Sequence, residues 1–564
     1  MASQSSLFEH RTIGPIRGIS KIPGVTQFLG VQYATLRDRF SRGELLKAYP
    51  ATHPQVKDGV LDATKLGPLP LSPVDGCAWE HKLIQCALPA PEFEQSDIDC
   101  LTLNIAVPGV QDNDGPSWPV LALVHGGAFA TGSSSYPQYD LGRIVRISVD
   151  LGKPVIAVGI NYRLGVPGFL HSAAMNSAGY KPNNGLNDQR LGLLWIQQNI
   201  AGFHGDPHRV TYIGESSGAA SGCFHLHSPE PLFSQLITMS GTSLIKAKPL
   251  EGAERSFQTA IQLLNPAEAS SLSNTAQVQL LLDTPMADIR DKIGRKVPLG
   301  PVVDGEMIPR ANSFVLMANP TEAEQTIPGT KWCKRILMGD CQMDGNAYAP
   351  RLAARKDILP HTLATYLAAT LDPIDSVLAP KIVSGYGLQT SATTNTPEST
   401  KAVLDFATDI CFALGARAFA RSWSAKAASG DGHEAFLYRF NVPNPWDGPW
   451  KGHATHILDI AFVLQNYREQ LSPGQQKTGD LFARHIVEFV NGEKPWAAYQ
   501  VGSGEGSMVY CAPEQGDEDE SYFTESEDPT RTGGRDVLQG VAREPAVLDA
   551  VMTAWEKFMK GPLS

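Results

Sequence analysis

Val210-Thr211-Tyr212-Ile213-Gly214-Glu215-Ser216-Ser217-Gly218 sets a short apolar run directly before Gly-x-Ser-x-Gly and a helix-forming segment. A strand that passes through such a turn into a helix is the sequence form of a nucleophile elbow. The turn forces the serine into a strained conformation, so its hydroxyl stands clear of the backbone. The glycines let strand and helix approach without a Cβ clash. The five-residue pattern also arises by chance in a chain this rich in glycine and serine, so its surroundings have to carry the reading.

Other short apolar runs alternate with helical patterns. Pro119–Val124, Pro154–Val158, Val210–Ile213, Gln235–Met239, Arg335–Met338 and Ala435–Phe440 read as buried strands. Strands apolar on both faces imply a mostly parallel sheet covered by helices on each side, an α/β class. Asp188–Asn199 reads as a capped amphipathic helix, with Leu191, Leu194 and Trp195 at helical spacing. By composition, 242–300 and 350–430 are helix-rich insertions into one domain spanning 1–564, with no internal repeat. Residues 513–536, with Asp517-Glu518-Asp519-Glu520, Glu525, Glu527 and Asp528, read as an acidic solvated loop.

A serine hydroxyl is a poor nucleophile at neutral pH. It needs a base within hydrogen-bond reach, a carboxylate to orient that base, and donors for an oxyanion. The donors have a source in His125-Gly126-Gly127-Ala128-Phe129, which follows the strand ending at Val124. The backbone amides of Gly126, Gly127 and Ser217 are the expected oxyanion hole. The acid belongs after a later strand, where Asp340 and Asp344 both follow Arg335–Met338, and Asp304 reads as a turn residue. The histidine belongs beyond Ala435–Phe440, where His453 and His456 both stand. Spacing leaves these pairs open. His453-x-x-His456 and His225-x-His227 lack further ligands at metal spacing, so no metal is expected.

The 564 residues are 42% hydrophobic with a net charge of −11. An acidic chain gains no counterion-release affinity for a nucleic acid, and an anionic membrane surface is excluded on the same ground. No run is apolar and long enough to span a bilayer. The first residues lack the apolar core of a signal peptide, and no Asn-x-Ser/Thr acceptor without proline is present. A cytoplasmic setting is the expectation. The eight cysteines include no Cys-x-x-Cys pair, and free thiols are the default in a reducing compartment.

These motifs resemble, in order, those of the type-B carboxylesterase and cholinesterase family of α/β-hydrolases. Phe28-Leu-Gly-Val-Gln-Tyr-Ala34 is similar to its entry strand and Asp99-Cys-Leu-Thr-Leu-Asn104 to its Asp-Cys-Leu-x-Leu-Asn signature. His125–Phe129 is similar to its oxyanion turn. Asn161-Tyr-Arg-Leu-Gly165, Asn187-Asp-Gln-Arg190, the elbow, Ser228-Pro229, Leu232-Phe233 and Met239-Ser-Gly241 follow the same pattern. The resemblance implies an α/β-hydrolase fold with a helical cap over the active site, and a serine esterase that needs no cofactor and takes a small-molecule ester. It implies Asp344, in Met343-Asp344-Gly345, as the acid in place of the usual glutamate. It implies His456, in His456-Ile-Leu-Asp-Ile-Ala-Phe-Val463, as the base, which leaves His453 structural or pocket-lining.

The resemblance also marks departures. Ser217 replaces the alanine that usually follows the nucleophile, an exchange expected to cost little because only its N–H is required. Secreted relatives close a disulfide at the position of Cys100. The usual partner is missing here, Cys77 and Cys86 lie nearer, and Cys100 is expected not to be constitutively cross-linked. Phe129, Trp446 and Trp450 are the candidate pocket residues. Acyl transfer, lactone formation or another tailoring reaction would use the same triad, and a non-catalytic interaction protein is the remaining alternative. Oligomeric state has no signature in the sequence.

Overall fold

The computed structural model describes residues 4–109, 117–427, 432–502, 505–512, 521–525, 534–541 and 544–561. A 14-stranded sheet runs through the molecule. In chain order its strands are β1 (Gln4–His10), β2 (Gly14–Ile22), β3 (Val25–Gln32), β4 (Val56–Lys57), β5 (Val60–Asp62), β6 (Thr102–Pro108) and β7 (Trp118–Val124), then β8 (Ile156–Ile160), β9 (Gly205–Glu215), β10 (Gln235–Met239), β11 (Arg335–Cys341), β12 (Glu434–Phe440), β13 (Ser507–Tyr510) and β14 (Tyr522–Thr524). Their spatial order is 14-13-12-11-10-9-7-8-6-3-2-5-4, with β1 beside β2. From β8 through β13 every pairing is parallel, and antiparallel strands flank this block on both sides.

Alternation along each parallel strand divides two cores. Val120, Ala122, Val124, Val210, Tyr212, Ile336 and Met338 face one side. Leu121, Leu123, Ile213, Ile237, Leu337 and Phe436 face the other. Both sides are covered, which is why these strands read as continuous apolar runs. Helices α1 (Gly76–Ile84), α2 (Gly142–Asp150), α3 (Asn184–Asn199) and α4 (Ser217–His225) come from the first half of the chain.

Both insertions are helical. Leu250–Leu264 and Asn274–Asp283 form a satellite core with Val166, Leu170 and Met175. The later insertion carries Leu359–Leu371, Pro397–Thr408 and Leu414–Ala427, and its π-helical turn Asp409–Ala413 reaches the carboxyl ends of the sheet strands, where the Phe412 ring lies 5.2 Å from that of His456.

Several details differ from the sequence reading, among them the following. The strand expected from Pro154 begins at Ile156: Pro154 has no N–H to give, and the Val155 N–H is taken by Ser148 Oγ at 3.0 Å. The helix expected from Asp188 starts at Asn184, and Asp188 is no cap: its carboxylate is taken by Arg163. The acidic segment is not one loop where it is described, since Tyr522–Thr524 pairs antiparallel with β13 and Gly534 opens a helix. Residues 513–520 and 526–533 lie outside the described residues.

Candidate active site

The parallel register brings the ends of β7, β9, β10, β11 and β12 to one edge. Val124 pairs with Gly214, Glu215 with Met239, and Met239 with Gly339. The segments that leave this edge carry Gly126, Gly127, Ser216, Ser217, Asp344 and His456, as expected for an open α/β sheet.

Ser216 sits between β9 and α4 with φ 55° and ψ −120°, a conformation an L-residue holds only under constraint. The constraints are visible. Its N–H donates to the Met239 carbonyl at 2.8 Å, and its carbonyl accepts from Ala220. A Cβ on Gly218 would overlap the Val124 carbonyl, and one on Gly241 would overlap the Ser216 carbonyl. Glycine at these positions is therefore a packing requirement. The nucleophile candidate itself is half-buried, at the amino terminus of α4.

The turn after β7 curls against the elbow. Gly127, Ala128 and Phe129 take φ of 101°, 55° and 61° in succession. A Cβ on Gly126 would meet the Glu215 carboxylate and lie 2.9 Å from the Ser216 Cβ, so the Gly126 backbone passes beside the serine. The Phe129 N–H donates to Ser217 Oγ at 3.3 Å. The turn and the first amide of α4 thus border the same space.

Asp344 and His456 are brought together by a β-bridge between the residues just before them, Met343 and Thr455. The Met343 N–H donates to the Ala454 carbonyl at 2.8 Å, and the His456 N–H to Asn346 Oδ1 at 2.9 Å. His456 Nδ1 is 2.8 Å from Asp344 Oδ1, and the second carboxylate oxygen accepts the Cys341 N–H at 2.8 Å. His456 Nε2 is turned to the elbow, 3.2 Å from Glu215 Oε1. That oxygen is buried and makes no aligned hydrogen bond.

Asp340 is bound instead to Arg439. His453 stands apart beside Lys401 and Asp405 of the cap. Asp304 is a turn residue, accepting the N–H groups of Glu306 and Ile308. His225 and His227 turn to separate partners, Gln189 and Asn312.

The site is crowded with buried acids. Burial pushes Glu215 well above the usual carboxylate range; His456 opposes this, while Asp459, Glu80 and Asp344 add to it. Burial pulls His456 down, but Glu215 first, then Asp344 and Asp459, outweigh it and raise it to about 9. Glu80, on α1, is pushed up to about 7 by burial and accepts from Gln138 Nε2 at 2.8 Å. Asp459 is pushed up to about 6 by burial and then by Asp344, and it accepts from the Tyr438 hydroxyl at 2.7 Å. His456 Nε2 and Glu215 are thus electrostatically coupled, each group's charge favouring the other's charged form.

The sequence reading passed over Glu215, Glu80, Asp459 and Tyr162. Glu215 had a signal, since it lies inside the elbow itself. Glu80 had none, because nothing local shows that α1 turns it inward.

Of the expected pocket residues, Phe129 is half-buried with its ring 4.9 Å from that of Phe169. Trp446 and Trp450 belong to a loop clamped by Gln85, whose Nε2 donates to the Trp446 carbonyl and whose Oε1 accepts the Trp450 N–H at 2.8 Å. Cys77, Cys86 and Cys100 are all free, and Cys77 and Cys100 belong to opposite cores.

Among known proteins, the carboxylesterase family profile matches residues 5–533. Para-nitrobenzyl esterase of Bacillus subtilis is 28% identical over 456 residues, 80% of this chain and 82% of that one. Acylcarnitine hydrolase of Mus musculus is 33% identical over 329 residues, 57% of this chain and 54% of that one. Acetylcholinesterase of Bungarus fasciatus is 34% identical over 331 residues, 56% of this chain and 51% of that one. A solved thermophilic PNB esterase superposes with a TM-score of 0.71 at 23% identity, covering 94% of this chain and 99% of its own, which establishes the α/β-hydrolase fold.

Proposed function

The chain belongs to the carboxylesterase family and is a carboxylic ester hydrolase, and we propose that it works through an acyl-enzyme on Ser216. Ser216 Oγ attacks the ester carbonyl and His456 Nε2 takes its proton. Asp344 holds the imidazole in the tautomer that leaves Nε2 free, and it stabilises the imidazolium that forms. The amides of Gly126, Gly127 and Ser217, with that of Ala128 in the same left-handed turn, receive the oxyanion. The alcohol leaves, water deprotonated by His456 cleaves the acyl-enzyme, and the acid departs.

The observation that carries this reading is the 2.8 Å bond from Asp344 to His456 Nδ1, with Nε2 facing the residue just before Ser216. The strained φ of Ser216 supports it, because such strain persists only where the fold over-determines it. Phe129 is proposed as a pocket wall on the open side of the turn, with Trp446 and Trp450 beyond it. No helix among the described residues is long and apolar enough to cross a membrane. The free cysteines support a reducing, cytoplasmic setting.

The test is Ser216→Ala. It should abolish both turnover of a short-chain aryl ester and labelling by a fluorophosphonate, and undiminished turnover would end the assignment. Product analysis with water and with an added alcohol separates hydrolysis from acyl transfer.

A further inference from the structure

The turn from His125 to Phe129 poses a mechanical problem. Ala128 and Phe129 both hold positive φ, which side chains resist, and they follow a glycine that does the same. A turn of this kind relaxes unless its ends are anchored. At its far side, the Phe129 carbonyl accepts the Gly165 N–H at 2.8 Å. The Phe129 N–H has a side-chain partner, Ser217 Oγ, at 3.3 Å. At the near side, the His125 carbonyl accepts from the Tyr162 hydroxyl at 3.0 Å, and the Tyr162 ring stacks on His125 with centroids 4.5 Å apart.

Ser217 lies between these anchors. Its side chain is buried close to the Tyr162 phenol. The hydroxyl therefore accepts from one end of the turn and lies close to the group that holds the other end. Ser217 is also the first residue of α4, so the side chain is fixed to the backbone whose amide faces the nucleophile's carbonyl-binding space. Any shift of α4 against the turn has to break this link.

We propose that the Ser217 hydroxyl is a positioning group: it fixes the oxyanion turn to the elbow so that amides from two separate loops converge on one oxygen. This rests on the oxyanion role assigned above. Alanine at 217 would keep the backbone amide but leave the Phe129 N–H without its side-chain acceptor, removing the side-chain link between the turn and α4. Donors misaligned by a fraction of an ångström weaken in the transition state more than in the ground state, because the charge on oxygen develops only there.

The experiment compares wild type, Ser217→Ala, Tyr162→Phe and the double variant on one aryl ester and on an aryl trifluoromethyl ketone, a mimic of the tetrahedral adduct. Ser217→Ala should lower kcat at least about tenfold with KM within about twofold, and raise the ketone's inhibition constant by the factor lost in kcat/KM. Tyr162→Phe should show the same kcat-only loss, and the double variant should fall by less than the product of the singles. Should Ser217→Ala fail to fold, Tyr162→Phe alone carries the same requirement. Unchanged kcat and ketone affinity in the folded variant, or a loss confined to KM, overturns the proposal. Wild-type protein that neither turns over the ester nor is labelled at Ser216 overturns the triad reading instead.

Discussion

Asp344 Oδ1 lies 2.8 Å from His456 Nδ1 across 112 residues of chain, and its other oxygen is committed to the Cys341 N–H. The carboxylate is thus fixed by the strand it follows while it fixes the imidazole. Asp344→Asn keeps the shape, but an amide nitrogen facing Nδ1 favours the wrong tautomer. The expected loss in kcat is about 10⁴-fold, with KM and melting temperature close to wild type. Steady-state kinetics on an aryl ester checks this. A loss below tenfold would mean that Asp344 does not orient the base.

Glu215 exerts the largest upward pull on His456, and His456 has to be neutral to act as a base. Activity on the acidic side then rises with pH as that imidazole loses its proton. Glu215→Gln removes the negative charge 3.2 Å from Nε2, so the imidazolium is less favoured and its pKa falls. The acidic limb of kcat/KM should move to lower pH by roughly one unit. A pH profile of the variant against wild type measures it. An unmoved limb would show that Glu215 is already protonated over that range.

The strands of the parallel block, the elbow and the helical insertions were legible because each has a local cause: an apolar run, a glycine pair, a helical period. Gln235–Met239 was bounded as observed for this reason. Asp344 and His456 could be narrowed only by resemblance, since what joins them is a bridge between Met343 and Thr455, a contact between distant segments that neither segment announces. Ser217 is the more instructive case. Its N–H was expected to be the only part that matters, yet its hydroxyl accepts the Phe129 N–H from a loop 88 residues away. Asp188 was taken for a helix cap on its local pattern, and a long-range ion pair claimed it instead.

That ion pair is fully enclosed. Arg163 donates from Nε and Nη2 to the two oxygens of Asp188, both at 2.7 Å, and from Nη1 to the carbonyls of Ser41 and Arg39. The side chains are 1% and 0% exposed, so neither charge can turn to water. Asp188→Ala leaves a buried guanidinium without its counter-charge, at an expected cost of about 3–5 kcal/mol. Urea unfolding should show the midpoint falling accordingly. Because Tyr162 adjoins Arg163 and holds the His125 carbonyl, kcat should fall with it. A midpoint within experimental error of wild type would mean the pair is not buried as described.

Two glycines separate stability from catalysis. A Cβ on Gly218 would overlap the Val124 carbonyl, which belongs to a central strand and cannot give way. Gly218→Ala should therefore destabilise the fold by roughly 1–3 kcal/mol, as overpacking does, and lower the melting temperature. A Cβ on Gly126 would meet the end of the Glu215 side chain most closely, with the milder overlap of 2.9 Å to the Glu215 carbonyl and to the Ser216 Cβ. The carboxylate can move aside, but it then leaves His456, and the serine is crowded at the carbon that carries its hydroxyl. Gly126→Ala should keep a melting temperature nearer wild type while losing most of its kcat and its rate of fluorophosphonate labelling. Calorimetry and labelling kinetics on both variants check the contrast. If both lose stability alike with no difference in labelling rate, the Gly126 backbone does not border the reacting serine.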